Sequence, residues 1–374
     1  MVYSHKRGKL GVAGSNPVEG VHKKMVRILY GVSGEGSGHA TRSKVVIEHL
    51  QREHEVKVIT YGRGYSLLKD QFNAEEVYGF NLIYGRKIKK GKTVMNNLTR
   101  LIKEFPETFR NIRRIMKTFK PDIIISDFEP ISSLISFFSG IPLISIDNQH
   151  MLTNCKIEYP KKYRNNFFLS NFIVKAYLAR ADYFLITSFY HPEIIQSKKE
   201  KTFLFPPILG KGVLKLKPGN GNFILAYLTG KEDNEIFNEL KKINEKVIIY
   251  GLNRDEKLGN IQLKKFSEKY FLNDLANCKF VIATAGLSLI SEALHLKKPL
   301  LTIPIGDHFE QIANAYYLQK LGYGEFHEKL NEEKVLSFKQ SIKNYKKKLE
   351  EYKREDNSKI FNKIDDLIEE LKND

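Results

Sequence analysis

Two rounds of alternating strand and helix, divided by a Pro- and Gly-rich segment, predict an α/β chain of two Rossmann-like domains whose parallel sheets face a central cleft. In the N-terminal half, apolar runs at 26–32, 56–61, 121–126, 142–146 and 182–187 read as buried strands separated by helical stretches. In the C-terminal half, similar runs fall at 223–228, 246–250, 280–284 and 299–305. The segment 206–222, within FPPILGKGVLKLKPGNGN, is the natural linker. With 374 residues, 42% of them hydrophobic, the chain can bury two ordinary cores. The expected units are therefore 25–205, the linker 206–222, 223–345, and a C-terminal segment 346–374.

Residues 1–24 have no hydrophobic periodicity and no apolar signal core, so they are expected to be a disordered leader, with Met25 as a candidate start. RILYGVSGEGSGHATRS (27–43) then reads as a strand, a Gly loop and a helix start, in which Gly34, Gly36 and Gly38 let backbone come close to a ligand. Such a loop first suggests a dinucleotide fold. Glu35 argues against NAD, since it puts a negative charge where a pyrophosphate would lie, and the next strand ends in Tyr61-Gly62 instead of an acidic residue. Arg63 leaves NADP formally open. PDIIISD (121–127) ends at the same sheet edge in Asp127, which could also cap the helix ISSLISFF. Asp147 and His150, after PLISID, form a second polar cluster there. The region 123–146 is interrupted by Asp127, Glu129, Pro130, Gly140 and Pro142, and so reads as strand, helix and strand, not as a membrane span.

The most informative stretch is TAGLSLISEALHLKKPLLTIPIGDHFEQIANA (284–315). The strand FVIAT feeds Ala285-Gly286, and the helix that follows points unpaired N–H groups and a positive dipole end at its neighbour, which favours a diphosphate. Glu292 lies two turns into that helix, where a carboxylate could accept from two vicinal hydroxyls such as those of a ribose. A second helix opens on Glu310-Gln311.

These residues resemble the donor-binding segment of GT-B glycosyltransferases, especially the family 28 enzymes that add N-acetylglucosamine to lipid-linked peptidoglycan precursors, and the UDP-glycosyltransferases. The likeness runs through Gly286, Glu292, Pro299 to Pro304, Glu310-Gln311 and Asn314-Ala315. It implies that 223–345 binds a nucleotide sugar and 25–205 an acceptor. Glu292 would then hold the ribose, the N–H groups around Gly286, Leu287 and Ser288 the diphosphate, and Glu310 and Gln311 the sugar hydroxyls. The base would lie against main-chain groups near Phe271-Leu272, and Thr229 and Gly230 would add donors. Where many UDP-glycosyltransferases carry a His, this chain has Thr284, whose hydroxyl would replace it. The N-terminal loop of these families ends in Gly-His facing the acceptor, which assigns Gly36 and Gly38 to acceptor binding, with Asp147 and His150 as further acceptor contacts or an alternative base. His39 becomes the candidate general base, oriented by Asp127, for an inverting transfer. A helix-capping or phosphate-positioning role for His39 stays open. The resemblance also implies that the C-terminal helix, with Ile360, Phe361, Ile364, Leu367, Ile368 and Leu371 on one face, crosses back to the N-terminal domain. No cofactor is expected, the nucleotide sugar being a substrate. No metal is expected either, since helix N-termini would stabilise the leaving diphosphate and no DxD-type pair follows a strand.

The formal charge of +18 calls for a polyanionic neighbour. From Arg86 to Lys120 there are twelve basic residues against Glu104 and Glu107, and KKYRNNFFLSNFIVKAY (161–177) sets cations beside Phe167, Phe168, Leu169 and Phe172. Both features suit an anionic membrane surface and a lipid-linked hydroxyl acceptor at its inner face, or else a solvated basic face over buried aromatics. A nucleic-acid-binding protein is the competing class, but no helix-turn-helix, zinc-finger or RNP-type pattern supports it, so no nucleic acid is expected. An epimerase or hydrolase of the same fold would use the donor site alone. Cys155 and Cys278 have neither disulfide nor metal-ligand spacing, which makes a reducing cytoplasm the default.

Overall fold

The computed structural model describes residues 25–79, 106–177, 181–228 and 234–373. The N-terminal domain opens with β1 (Arg27–Val32), α1 (Gly38–Leu50), β2 (Glu55–Thr60), α2 (Gly62–Leu68) and β3 (Ala74–Glu76). After a helix over 106–118 (α3), it continues with β4 (Ile123–Asp127), α4 (Pro130–Ser139), β5 (Leu143–Asp147), α5 (Met151–Asn154), α6 (Arg164–Tyr177), β6 (Tyr183–Thr187) and β7 (Thr202–Phe205). Its seven strands lie in the order β3-β2-β1-β4-β5-β6-β7, all parallel.

The C-terminal domain follows α7 (Lys211–Lys215) with β8 (Ile224–Tyr227), α8 (Asn234–Lys242), β9 (Val247–Tyr250), β10 (Glu256–Leu258), β11 (Ile261–Leu263) and α9 (Glu268–Asn277). β12 (Val281–Ala283), α10 (Leu287–His295), β13 (Leu300–Thr302), α11 (Phe309–Lys320), β14 (Gly324–Phe326) and α12 (Glu332–Glu350) complete it. The order is β10-β11-β9-β8-β12-β13-β14. The sheet is parallel except that β10 runs antiparallel on β11. A three-residue strand reached through a tight turn has no room for a crossover helix, so it can only return antiparallel.

Both sheets reverse their winding once, between β1 and β4 and between β8 and β12. A crevice opens beyond the carboxyl ends of such a pair of strands. The two crevices are formed by the loop after Val32 with Asp127, and by the loop after Ala283 with the chain leaving Tyr227.

Alternation along the N-terminal strands decides which helices they carry. Leu29, Ile124 and Leu143 pack on Ile115 of α3 and on Ile131 and Ile135 of α4. Ile28, Ile123, Ile125 and Ile144 pack on Val46, Ile47 and Leu50 of α1. The same side also receives α13 (Ser358–Asn373), whose Ile360, Ile364, Leu367 and Ile368 recur at helical spacing and are buried there. His49 of α1 stacks on Phe361 with ring centroids 4.1 Å apart, and its Nε2 lies 2.9 Å from Asp365. Asn357 fixes the start of α13 by accepting from the Leu209 N–H at 3.0 Å and donating to its carbonyl at 2.8 Å. The end of the chain therefore packs on the first domain.

Among the described residues no helix is long and apolar enough to cross a membrane, and the apolar region after Asp122 forms β4, α4 and β5. Leu367→Ala should destabilise the protein by about 2–5 kcal/mol, because the cavity opens against a packed sheet. Urea unfolding would measure this, and an unchanged midpoint would mean that α13 is not docked as described.

Candidate active site

The parallel pairing of β1 with β4 sets Val32 beside Asp127, so the loop that follows β1 stands over the Asp127 carboxylate. Gly34 has no room for a side chain, and Gly38 stands close to the second domain. A Cβ on Gly34 would lie 1.9 Å from the Tyr61 carbonyl, and one on Gly38 would lie 2.8 Å from Ser288 Oγ, at the start of α10 in the other domain. Gly36 takes a left-handed φ of 72°. Gly38 thus marks where the two crevices meet.

His39, one residue further, places Nδ1 2.7 Å from Asp127 Oδ1. One helical turn on, Arg42 Nε donates to Asp127 Oδ2 at 2.7 Å, Arg42 Nη2 donates to Oδ1, and Ser43 Oγ donates to Oδ2 at 2.8 Å. Burial works to raise the Asp127 pKa, but the charges of Arg42 and His39 outweigh it and hold the carboxyl well below the usual range. Arg42 Nη2 also lies 2.8 Å from His39 Nδ1, and in the tautomer whose Nδ1 proton is directed to Asp127, Nε2 is the acceptor, the form a general base needs. The sequence also allowed Asp127 as a helix cap, but Glu129 fills that position. Phe128 turns through a φ of 51°, and Glu129 accepts from the N–H groups of Ile131 at 2.9 Å and Ser132 at 2.7 Å. Burial pushes Glu129 up to about 7 in spite of these bonds.

Asp147 and His150 pair with each other, not with the cleft. His150 Nδ1 lies 2.6 Å from Asp147 Oδ2, its backbone N–H donates to Oδ1 at 2.9 Å, and the two residues are 2% and 1% exposed. The imidazole packs against Phe184 at 4.7 Å and edge-on to Phe128. Between them in sequence, Gln149 reaches out and donates from Nε2 to Glu310 Oε2 at 2.9 Å across the cleft.

In the C-terminal domain, Ala285 at φ 65° turns the chain from β12 into α10, and the Asn314 amide holds that turn by donating to the Ala285 carbonyl at 3.3 Å. Gly286 is the N-cap, with open space where a Cβ would stand, and no side chain caps the helix. Among the described residues the first-turn N–H groups near Leu287 and Ser288 are thus without a side-chain partner, at the point where Gly38 approaches. Thr284 is half-buried just before the turn. Glu292 is half-buried in α10, and its carboxylate has no hydrogen-bond partner among the described residues. Burial, reinforced by the Glu268 carboxylate, pushes it up to about 8. Tyr227 stands in the field of both Glu292 and Arg63, the latter from the first domain.

Leu272 lies inside α9, as does Phe271, whose N–H donates to the Ser267 carbonyl at 2.8 Å. What is open here is the exposed ring of Phe266, edge-on to Tyr227 at 6.5 Å. In the first turn of α11, Gln311 Oε1 accepts from the Ile305 N–H at 3.0 Å and so holds the preceding loop, while Glu310 faces Gln149. The His308 imidazole feels both Glu310 and His39, and burial lowers its pKa. Thr229 and Gly230 lie outside the described residues, as do Arg86 to Lys103 of the basic run. A separate depression of about 590 Å³, lined by Lys246, Lys257 and Lys279 among others, opens at the amino ends of the C-terminal strands, away from these groups.

Sequence reading passed over Arg42, Ser43, Gln149 and His308. The first two stand three and four residues after His39, the spacing that shares a helix face, and could have been found on that ground. Gln149 could not, since its partner is 161 residues away.

Asp127→Asn should destabilise the protein by about 3–5 kcal/mol at pH 7, because it leaves Arg42 buried without its counter-charge. The folded pKa of Asp127 lies below its unfolded value of about 3.9, so its contribution is present above that value and fades as pH falls through the folded pKa. The gap between wild type and variant in urea midpoint should therefore narrow below about pH 4. A gap that does not change with pH would contradict an ionised Asp127.

The family model described as "Glycosyl transferase family 1" matches residues 26–343. A protein of Methanosarcina mazei named as an uncharacterized glycosyltransferase is 25% identical over 346 residues, covering 80% of this chain and 86% of its own length. One of Methanosarcina acetivorans, named in the same way, is 25% identical over 330 residues, covering 80% and 85%. The fold is also that of the solved calicheamicin glycosyltransferase CalG4, with a TM-score of 0.65, 14% identity and coverage of 93% of this chain and 98% of that one. A UDP-glucosyltransferase from Polygonum tinctorium superposes with a TM-score of 0.62 at 12% identity, covering 88% and 94%. Matched over nearly all of both sheets and both crevices, the chain belongs to glycosyl transferase family 1, with the GT-B fold.

Proposed function

We propose that the protein transfers a sugar from a UDP-sugar to an acceptor hydroxyl with inversion at the anomeric carbon, and that His39 is the general base. The observation that carries this reading is the His39–Asp127–Arg42 cluster set against an uncapped helix N-terminus. In the proposed step, His39 Nε2 takes the acceptor hydroxyl proton as that oxygen attacks the anomeric carbon from the face opposite the nucleotide. The bond to the diphosphate breaks, and the leaving group keeps the electron pair. Asp127 steadies the imidazolium that forms. The diphosphate charge is met by the N–H groups at Gly286, Leu287 and Ser288 and by the Thr284 hydroxyl, without a metal.

Glu292 accepts from the ribose hydroxyls, Glu310 and Gln311 meet the transferred hexose, and the base lies against the main chain near Leu272 and the Phe266 ring. Gly36 and Gly38 line the acceptor side. The likeness to enzymes that act on lipid-linked peptidoglycan precursors supports a lipid-linked acceptor, met by a cytoplasmic protein in peripheral contact with the membrane.

Thermal-shift titration with UDP, GDP, ADP, TDP and NADP tests the donor. UDP should stabilise selectively. Glu292→Ala should weaken that binding about 10- to 100-fold, as expected for a lost hydrogen bond to a charged group. His39→Ala should leave it intact and cut transfer about 10²–10⁴-fold. Unchanged UDP affinity in Glu292→Ala would overturn the ribose assignment.

A proton-linkage measurement checks the same residue independently. With its pKa near 8, Glu292 is mostly protonated at pH 7 in the empty protein, whereas hydroxyls that donate to it favour the ionised form. UDP binding at pH 7 should release about one proton, read by calorimetry in buffers of different ionisation enthalpy, and Glu292→Gln should abolish that release.

A further inference from the structure

The helix α6 bridges the two domains on one face and leaves the other open. On its inner side Phe167 packs on Phe309 of α11 with centroids 5.4 Å apart, Asn166 donates to Asp307 at 2.8 Å, and Asn171 donates to the Leu152 carbonyl at 2.6 Å. Tyr177, at its far end, stacks on Phe128 beside Asp127. The helix thus lies over the carboxyl edge of the first sheet, along the mouth of the cleft. On its outer side Phe168, Leu169 and Phe172 are 54%, 41% and 69% exposed. Arg164, Phe168, Phe172 and Lys175 fall at successive turns, which makes one stripe with a cation at each end and aromatic rings between. The Arg164 guanidinium lies 5.4 Å from the Phe168 ring. From Tyr159 to Tyr177 the chain carries four cations and no acidic residue.

From this arrangement we infer that the outer stripe of α6 is a docking surface for an anionic lipid bilayer. A partner protein with an apolar groove would need no cation at both ends of the stripe. RNA could stack bases on such rings, and salt-sensitive binding to RNA in place of vesicles would overturn the inference. A lipid surface takes both, with rings in the acyl boundary and Arg164 and Lys175 among the headgroup phosphates. The cleft then opens about one helix diameter, roughly 10–12 Å, from the membrane, within reach of an acceptor anchored in it. The inference rests on the acceptor reading above for its purpose, although the surface itself is defined without it.

Co-sedimentation with phosphatidylglycerol vesicles and with phosphatidylcholine vesicles tests it, with UDP thermal shift run on each variant. The protein should bind the anionic vesicles and not the zwitterionic ones. Phe168→Ser/Phe172→Ser, at exposed positions, should lose more than about tenfold in vesicle affinity. Arg164→Gln/Lys175→Gln should lose affinity and flatten its salt dependence. Phe137→Ser/Phe138→Ser, on the exposed end of α4 at the amino edge of the sheet, should bind as wild type. No binding to anionic vesicles, equal binding by Phe168→Ser/Phe172→Ser, or loss in the α4 variant instead would each overturn the inference. Loss of vesicle binding with the UDP shift intact separates this surface from the donor site. Vesicle binding without a UDP shift would leave α6 standing and sink the donor reading.

Discussion

A carboxylate taken fully out of water must be matched by partners at hand, and much of the cleft's first wall follows from how Asp127 meets that demand. Its two oxygens receive Arg42, His39 and Ser43, all from one face of α1. Those bonds fix the rotation of α1 about its axis, and with it the direction in which Gly38 and the preceding loop project. The same demand reaches back to the strand order, since only the parallel pairing of β1 with β4 places the start of α1 over the end of β4. Leaving that strand carries a conformational cost of its own. Phe128 in the left-handed region costs about 1–3 kcal/mol, held in place by the buried Glu129 cap that follows.

The second domain is positioned by polar contacts and by aromatic packing along α11. Gln149–Glu310, Asn166–Asp307 and Glu158–Lys320 cross the cleft along α11, and Tyr190 stacks on Tyr317 at 3.9 Å. At the other side the crossing is a close approach of backbone at Gly38 to Ser288. Leu152 and Val174 also bury against Phe309 and Ala313 of α11, so apolar packing joins the domains along that helix. Closure along α11 would act as the hinge line, and the Gly38 side as the edge that opens to admit a donor.

Much of this was legible in the sequence because each crevice is marked by local chemistry: glycines where backbone must pass close, a strand ending in Asp127, and an uncapped helix carrying Glu292. The long apolar strands were readable for the same reason, since burial on both faces leaves a continuous run. β3, β7, β10 and β14 were not among the strands read, because none of them lies in an apolar run as long as those of the strands that were. Asp147 and His150 show a different limit. Position at a sheet edge is readable, but which way a side chain turns there depends on Phe128 and Phe184, and these close over His150 only in three dimensions. The pairing of Gln149 with Glu310 is likewise a property of the assembled cleft.

The two carboxylates at the centre of the cleft are tuned in opposite directions. Asp127 is held ionised by Arg42 and His39, whereas Glu292, with burial and Glu268 acting together and no cation among the described residues against it, is pushed toward the neutral acid. Separation of this kind assigns different work to similar groups. On the proposed reading it also suits the order of events. A diphosphate approaching the N-terminus of α10 brings several negative charges, and an ionised Glu292 in an empty, partly desolvated crevice would oppose them. As a neutral acid it does not. Once hydroxyls of the nucleotide donate to it, ionisation is favoured locally, and the carboxylate gains partners at the moment its charge appears. The acceptor side would have the reverse requirement, because the imidazolium proposed to form at His39 needs a negative charge already in place. On that reading the permanent charge belongs on Asp127, beneath the proposed base, and the conditional one on Glu292, beneath the proposed donor site.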